Sequence, residues 1–110
     1  MCLILIDWNT HPDLALVVAA NRDEFHDRAS LPAAWWTDHT NIYGGRDLKA
    51  KGTWLAVNRF GRFAAVTNVR KVTDGGTKTR GALAVDFLLA SDADCEGYHE
   101  KLEDTVVDYD

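Results

Sequence analysis

Cysteine is scarce in this sequence, with two among 110 residues. Two cysteines cannot build a disulfide scaffold, so reduced thiols are the default, although one bridge between Cys2 and Cys95 is compatible with the count. Apolar runs are short as well. None approaches the roughly 20 residues that span a bilayer, and the run after Met1 lacks the basic start and small-residue cleavage site of a signal peptide. We therefore expect a cytoplasmic protein without a transmembrane segment.

Positive charge is also in deficit, because 12 Lys and Arg stand against 17 Asp and Glu, for a formal net charge of −5. This balance repels phosphate backbones, so nucleic acid is not an expected partner. Metal ligands are equally sparse. Cys95 and His99 are four apart on a predicted helix, but no second pair is spaced to complete a zinc site. We predict no metal and no other cofactor.

What remains is enough apolar material, 46% of the residues, for the core of one domain. Residues 2–6 and 14–20 are apolar on consecutive positions, which predicts two strands covered on both faces and joined by a hairpin. Residues 25–51 have a mixed composition and predict an ordered but irregular excursion. In that stretch we predict that Arg46 pairs with Asp47 in a turn, and that Trp35 and Trp36 serve packing rather than a ligand pocket.

The second half of the chain predicts a hairpin followed by two helices. Residues 54–57 and 62–67 flank "NRFG", where Gly61 would supply a positive φ. After the polar stretch 73–78, which we expect to be flexible, Thr79 is the predicted N-cap of a helix that runs to about residue 90 with Leu83, Phe87 and Leu88 on one face. A second helix is predicted over about residues 94–107, with Tyr98, Leu102 and Val106 as its apolar stripe.

The main chemical signal is Cys2, which stands directly behind the initiator methionine. A hairpin centred in "WNTHPD" would place Cys2 opposite about Ala19, with the polar run "NRDE", residues 21–24, just past the thiol. A residue this small at the second position permits removal of Met1. Cys2 would then carry both a thiol and a free α-amine.

That pair of groups can act as nucleophile and general base, because an α-amine titrates near neutral pH and a nearby guanidinium favours the thiolate. Arg22 would supply the guanidinium. Asp23 could orient the amine or hold Arg22, and Asn21 could donate a hydrogen bond to a substrate oxygen or brace the turn. The structural alternative, that Cys2 is a buried apolar residue and that residues 21–24 form a turn with a surface ion pair, stays open.

Five stretches, "MCLILI", "VVAANRDEF", "GGRDLKAKGTWLAV", "GRFAAVTNVR" and "TRGALAVDFL", occur in the order in which they occur in the NRDE family, also called the transport and Golgi organisation protein 2 family. The chain resembles that family over residues 1 to about 89. The resemblance implies an α+β fold of the N-terminal nucleophile (Ntn) hydrolase type, an αββα sandwich of antiparallel sheets. Family members are longer, so residues 1–110 are expected to form a single domain truncated at the C-terminus.

By the same resemblance Cys2 takes the nucleophile position, and Arg22 and Asp23 match the Arg and Asp that accompany it in related acylases. Asn68, in "VTNVR", is a further candidate for a substrate or oxyanion contact. The chain departs from the family at Lys51 and Ala56, where glycine is more frequent, which puts local backbone detail in doubt.

Two functions follow as hypotheses. In the first, an amidohydrolase-like enzyme attacks an amide or thioester carbonyl with Cys2 and forms an acyl-enzyme. In the second, a binding or carrier protein holds a lipid, acyl-CoA or haem ligand in the same pocket without turnover. Both predict a small-molecule acyl or lipid-like ligand.

Overall fold

The computed structural model describes residues 1–68, 77–90 and 95–105. In chain order the elements are β1 (Leu3–His11), β2 (Leu14–Asn21), β3 (Ser30–Trp35), β4 (Ile42–Asp47), β5 (Leu55–Asn58), β6 (Phe63–Ala65), α1 (Arg80–Leu89) and α2 (Cys95–Thr105). Strands β1 and β2 form one antiparallel sheet, and β3 to β6 form a second, four-stranded antiparallel sheet in chain order. The predicted α+β class is confirmed, and so are both hairpins and both helices.

The first hairpin has a different register from the predicted one. Ala19 pairs with Leu5, so it does not lie opposite Cys2. The turn is a tight one at residues 12–13, nearer to β2 than the predicted centre. The ladder also shifts beyond Trp8, where Asn9 adopts a left-handed φ of 55°. A tight turn and an irregular ladder both change which residues face each other. As a result Asn21, the last residue of β2, lies opposite Leu3, and Cys2 lies beyond the end of the ladder.

The predicted irregular excursion over residues 25–51 is wrong, because β3 and β4 lie within it. Its glycines mark close approach between strands rather than a loop. A Cβ placed on Gly44 would stand 2.5 Å from the Cβ of Ala56 on β5. Glycine inside a strand weakens the strand signal in a sequence, although here it is what lets β4 and β5 approach each other.

The core lies between α1 and one face of the four-stranded sheet, and its buried apolar residues are Trp36, Ile42, Ala56, Ala84, Val85 and Leu88. Thr79 occupies the N-cap position of α1 as predicted, although its side chain makes no capping hydrogen bond. Leu88 is buried as predicted, but its buried neighbours on α1 are Ala84 and Val85 rather than Leu83. Phe87 packs against the core from its edge. Trp36 serves packing as predicted, and its indole N–H donates to the carbonyl of Gly44 at 3.1 Å.

The predicted cover on both faces of β1 and β2 is not present among the described residues. Leu5 is 60% exposed and Ile6 is 62% exposed. In the described part of the chain α1 packs against β5 and β6, and neither described helix packs extensively on the first hairpin. Val106 and the stretch 73–76 lie outside the described residues, so those expectations stay predictions. In the part of the chain that the structure describes, no helix is both long and apolar enough to cross a membrane.

Two residues in the turns have a left-handed backbone conformation, and one of them, Gly61, was predicted to. Gly61 has a φ of 83° at the end of the second hairpin, as expected for its position. Lys51 has a φ of 63°, in the left-handed region that costs a residue with a side chain about 1 kcal/mol. Glycine would adopt this φ without that cost.

Candidate functional site

The Cys2 thiol lies against the backbone of Asp23. Leu3 pairs with Asn21 at the end of the β1–β2 ladder, and this brings the residue before β1 next to the residues after β2. The backbone N–H of Asp23 donates to the Cys2 sulfur at 3.4 Å, and the sulfur is 4.0 Å from the carbonyl oxygen of the same residue. Cys2 is half-buried and reduced, so the sulfur is neither sealed in the core nor free in solvent.

Asn21 clamps the backbone on both sides of Cys2. Its Oδ1 accepts the N–H of Leu3 at 2.8 Å, and its Nδ2 donates to the carbonyl oxygen of Met1 at 2.9 Å. Of the two predicted roles, bracing is the one this geometry fits. The clamp needs a donor and an acceptor on one short side chain, which an amide has and a carboxylate lacks.

Asp23 binds the amino terminus of the chain. Its Oδ2 accepts a hydrogen bond from the α-ammonium group of Met1. Orienting an amine was one of the two roles predicted for Asp23, and the carboxylate lies where it can do so. The sequence-predicted proximity of the thiol, the amino terminus and the Asp23 carboxylate is therefore present, although the predicted hairpin register is wrong.

Arg22 extends over the ring of Trp54, with the guanidinium carbon 4.3 Å from the ring centroid. Trp54 is in turn seated against Gly45, where a Cβ would stand 2.3 Å from the ring carbons. The sequence alone did not point to Trp54 as part of the site. The contact between Trp54 and Gly45 joins residues nine positions apart, so it becomes visible only once β4 and β5 are paired.

Asn68 lies beside the same polar run. Its Nδ2 donates to the carbonyl oxygen of Asp23 at 3.1 Å and to Glu24 Oε2 at 3.2 Å. The structure thus brings Asn68 to the site, where it ties the end of β2 to the segment after β6. The N–H of Phe25 lowers the pKa of Glu24, burial opposes that effect, and the Asn68 amide and the charges of Arg28 and Arg22 lower it further.

A second group of paired charges, formed by Arg28, Asp47 and Glu24, lies beside the site. Arg28 donates to Asp47 Oδ2 from Nη2 at 2.6 Å and from Nε at 3.0 Å, and lies 3.9 Å from Glu24 Oε2. Burial raises the pKa of Asp47, but the hydrogen bonds from Arg28 and the backbone N–H of Lys49 outweigh it, so the pKa lies below its usual value. Sequence reasoning missed this group, although Glu24 and Arg28 have the i, i+4 spacing of an ion pair.

The predicted pairing of Arg46 with Asp47 is wrong. Successive strand residues point to opposite faces of a sheet, and the two side chains diverge accordingly. Arg46 donates to both carboxylate oxygens of Asp38, at 2.6 and 2.9 Å, and these hydrogen bonds hold the pKa of Asp38 at about 2. Its guanidinium also lies over Trp36, 3.9 Å from the ring centroid.

The residues around Cys2 enclose an open cavity of about 620 Å³, within the range of small-molecule sites. Its wall is mixed: the apolar part includes Ile4, Trp54, Leu55 and Val66, and the charged part includes Arg22 and Arg80. Among the described residues no group of three or more Cys, His, Asp and Glu is placed to hold a metal ion. The Cys95 side chain lies outside the described residues.

Loss of the Arg28 side chain should destabilise the fold in a pH-dependent way. A carboxyl group whose pKa is lowered on folding contributes stability above its unfolded pKa of roughly 4, and loses it as the pH falls through the folded value. Arg28→Met should therefore lower the free energy of unfolding by about 1–3 kcal/mol near pH 7, with the difference from wild type shrinking towards pH 3. Urea unfolding at several pH values measures this. Arg59→Met, at an exposed arginine, should show a smaller and flatter effect.

The chain is similar to a family model and to several curated proteins. The family model described as Transport and Golgi organisation 2 matches residues 1–110. The human Transport and Golgi organization protein 2 homolog is 36% identical over 110 residues, which cover 93% of this chain and 40% of that protein. The mouse homolog is likewise 36% identical with the same coverage, and the Drosophila melanogaster protein is 34% identical over 115 residues.

The chain therefore belongs to the Transport and Golgi organisation 2 family, as the five matching stretches predict. It spans 40% of the length of the human, mouse and fly relatives.

Proposed function

We propose that this protein is a cytoplasmic amidohydrolase-like enzyme that uses Cys2 to attack an amide or thioester carbonyl, on an Ntn-hydrolase-like αββα scaffold of which residues 1–110 form the N-terminal part. One observation carries the proposal: the half-buried thiol and the amino terminus of the chain meet at one residue, Asp23, on the wall of a ligand-sized cavity. A cysteine that served only packing would not require a carboxylate, here that of Asp23, to bind the amino terminus next to it.

The first step is removal of Met1, which makes the nitrogen of Cys2 the α-amine. The Asp23 carboxylate then orients this amine instead of the Met1 ammonium. Removal of Met1 also takes away the carbonyl oxygen to which Asn21 Nδ2 donates at 2.9 Å. The amide N–H is thereby released, and it can donate to a substrate oxygen, which was the other role predicted for Asn21.

In the reaction, the amine of Cys2 takes the thiol proton as the sulfur attacks the carbonyl carbon. A C–S bond forms, the carbonyl π electrons move to oxygen, and Asn21 Nδ2 donates to the developing oxyanion. The tetrahedral intermediate collapses when the bond to the leaving nitrogen or sulfur breaks, and the α-ammonium group returns its proton to that atom. Water then attacks the acyl-enzyme with the amine as general base, which regenerates the thiol. Arg22 favours the thiolate throughout.

Asn68 acts in this scheme through the residues it holds. Its hydrogen bond to the carbonyl oxygen of Asp23 fixes the backbone on which the thiol rests. A direct contact with substrate remains available to its Oδ1. Asn68 is therefore proposed as a substrate-binding and positioning residue.

The alternative is a non-catalytic protein that binds a lipid, acyl-CoA or haem in the same cavity. The apolar part of the wall, which includes Ile4, Leu55 and Val66, favours a ligand with a hydrocarbon portion. In that case Cys2 would serve as a ligand or have no role, and binding would not depend on the state of the amino terminus.

Intact-mass analysis of the whole natural protein tests the proposal at its first step. We expect quantitative loss of the initiator methionine, because without it Cys2 has no free α-amine. Retention of Met1 in an active preparation would remove the general base and with it this mechanism. Ligand uptake by a Met1-retaining protein would favour the binding alternative instead.

A further inference from the structure

Arg22 is a half-buried cation at the cavity, and no oxygen atom of the described residues forms a hydrogen bond or ion pair with it. Within residues 1–68, 77–90 and 95–105, its guanidinium makes no hydrogen bond and no ion pair; it contacts the ring of Trp54 at 4.3 Å, and its charge interacts with that of Glu24. The other arginines of the first 62 residues each donate to an oxygen, namely Arg28, Arg46, Arg59 and Arg62. A charge removed from water without a partner costs free energy, so this arrangement favours a ligand that supplies the partner.

The ring of Trp54 supports the guanidinium of Arg22, and Gly45 makes room for that ring. Trp54 can lie where it does only because residue 45 is glycine, since a Cβ there would stand 2.3 Å from the indole carbons. The ring presents its face to the guanidinium, and a guanidinium that rests on a ring keeps its N–H donors at its edge for another acceptor. Gly45 and Trp54 therefore act as a platform for Arg22, which gives the glycine pair of the sequence a purpose beyond strand packing.

The carboxylates of the cavity already have partners. Asp23 binds the amino terminus, Glu24 accepts from Phe25 and Asn68, and Asp47 accepts from Arg28. The charge of Glu24 interacts with that of Arg22, but the oxygens of Glu24 accept from Phe25 and Asn68 and form no hydrogen bond with the guanidinium. The N–H donors of Arg22 are therefore available to a negative group from outside the described residues.

We propose that Arg22 binds an anionic group of the substrate, so that the protein acts on acyl compounds that carry a carboxylate or a phosphate near the scissile carbonyl. This rests on the proposed function for the identity of the reacting carbonyl, but the anion site itself does not. The planar guanidinium forms two parallel hydrogen bonds with either oxyanion, which sets both the preference for charge and the orientation of the substrate.

The test compares alkylation of Cys2 in the whole natural protein by three reagents of similar size. Bromoacetyl-β-alanine carries a carboxylate, bromoacetyl-aminoethylphosphonate carries a phosphonate, and bromoacetyl-β-alaninamide is neutral. In each case the thiolate attacks the methylene carbon, a C–S bond forms and bromide leaves. Each rate constant is divided by that of glutathione with the same reagent. The ratio of anionic to neutral reagent then cancels both intrinsic reactivity and the thiolate fraction of Cys2.

We expect the anionic reagents to alkylate Cys2 about 10-fold faster than the neutral one, the gain typical of one charge-assisted contact. Arg22→Gln should reduce that ratio to about 1. Arg22→Lys should retain part of it, and Gly45→Ala, which displaces the platform, should lower it without touching the charge. The faster of the two anionic reagents identifies the oxyanion. A ratio near 1 in the wild type, or one that Arg22→Gln leaves unchanged, would overturn the proposal.

A second measurement needs no reactive thiol. Calorimetric titration with N-octanoyl-β-alanine and with its amide should show about 10-fold tighter binding of the acid, lost in Arg22→Gln. Equal binding of acid and amide contradicts the proposal. The anion site and the hydrolase can fail separately. If the protein prefers the acid but forms no acyl-enzyme, the anion site is supported and the hydrolase is contradicted. If it forms an acyl-enzyme but shows no preference for the acid, the hydrolase is supported and the anion site is contradicted. Circular dichroism establishes that each variant is folded.

Discussion

Replacing Cys2 by alanine should abolish acylation of the protein by an electrophilic acyl probe, such as an activated ester of a fatty acid. In the proposed reaction the sulfur forms the covalent bond, so no other group can take over its role, and the expected loss is complete within the detection of the assay. Mass spectrometry of the treated protein measures it directly. The wild type should gain one acyl group per chain, located on the amino-terminal peptide.

Cys95→Ala is the matched control, because it removes the other thiol of the sequence and leaves the amino terminus intact. It should be acylated like the wild type. Acylation that survives in Cys2→Ala would show that the probe reacts elsewhere and would remove the basis for a Cys2 nucleophile. Ligand binding that survives in Cys2→Ala, without acylation of the wild type, would instead favour the carrier alternative.

The grouping of residues at this site could be predicted because it depends on one hairpin. Two apolar runs with a turn between them bring the start of β1 to the end of β2 whatever the details of pairing. For this reason Cys2 and Asp23 are neighbours even though the predicted register is wrong. The register itself depends on the tight turn at residues 12–13 and on the left-handed conformation of Asn9, neither of which periodicity reveals.

Other parts of the site depend on contacts between elements that are distant in sequence. Trp54 becomes the support of Arg22 only through the packing of its ring on Gly45, and Arg28 reaches Asp47 across 19 positions. Composition pointed the wrong way for residues 25–51, since glycines and mixed polarity are typical of loops. In this chain Gly44 and Gly45 lie within β4, where the absence of a Cβ at Gly44 lets the backbones of β4 and β5 approach each other.

Replacing Ile42 by alanine should cause a large loss of stability. Ile42 is fully buried, at 0% exposed, and belongs to the cluster of Trp36, Ala56, Val85 and Leu88 between α1 and the four-stranded sheet. Truncation removes three carbons and leaves a cavity whose walls are strands and a helix that cannot easily collapse. The free energy of unfolding should fall by about 2–5 kcal/mol, as measured by urea denaturation.

Ile6→Ala makes the same chemical change on β1, where the side chain is 62% exposed among the described residues. Taken alone, this part of the chain predicts a loss of well under half of that at Ile42, because most of the side chain is already in water. The proposed αββα sandwich predicts a different result for the whole natural protein. Further chain would cover β1, and the two truncations would then lower the free energy of unfolding by similar amounts. The ratio of the two losses, measured in the whole protein, therefore decides whether the first hairpin lies inside a sandwich, and a small loss at Ile6 would contradict that architecture.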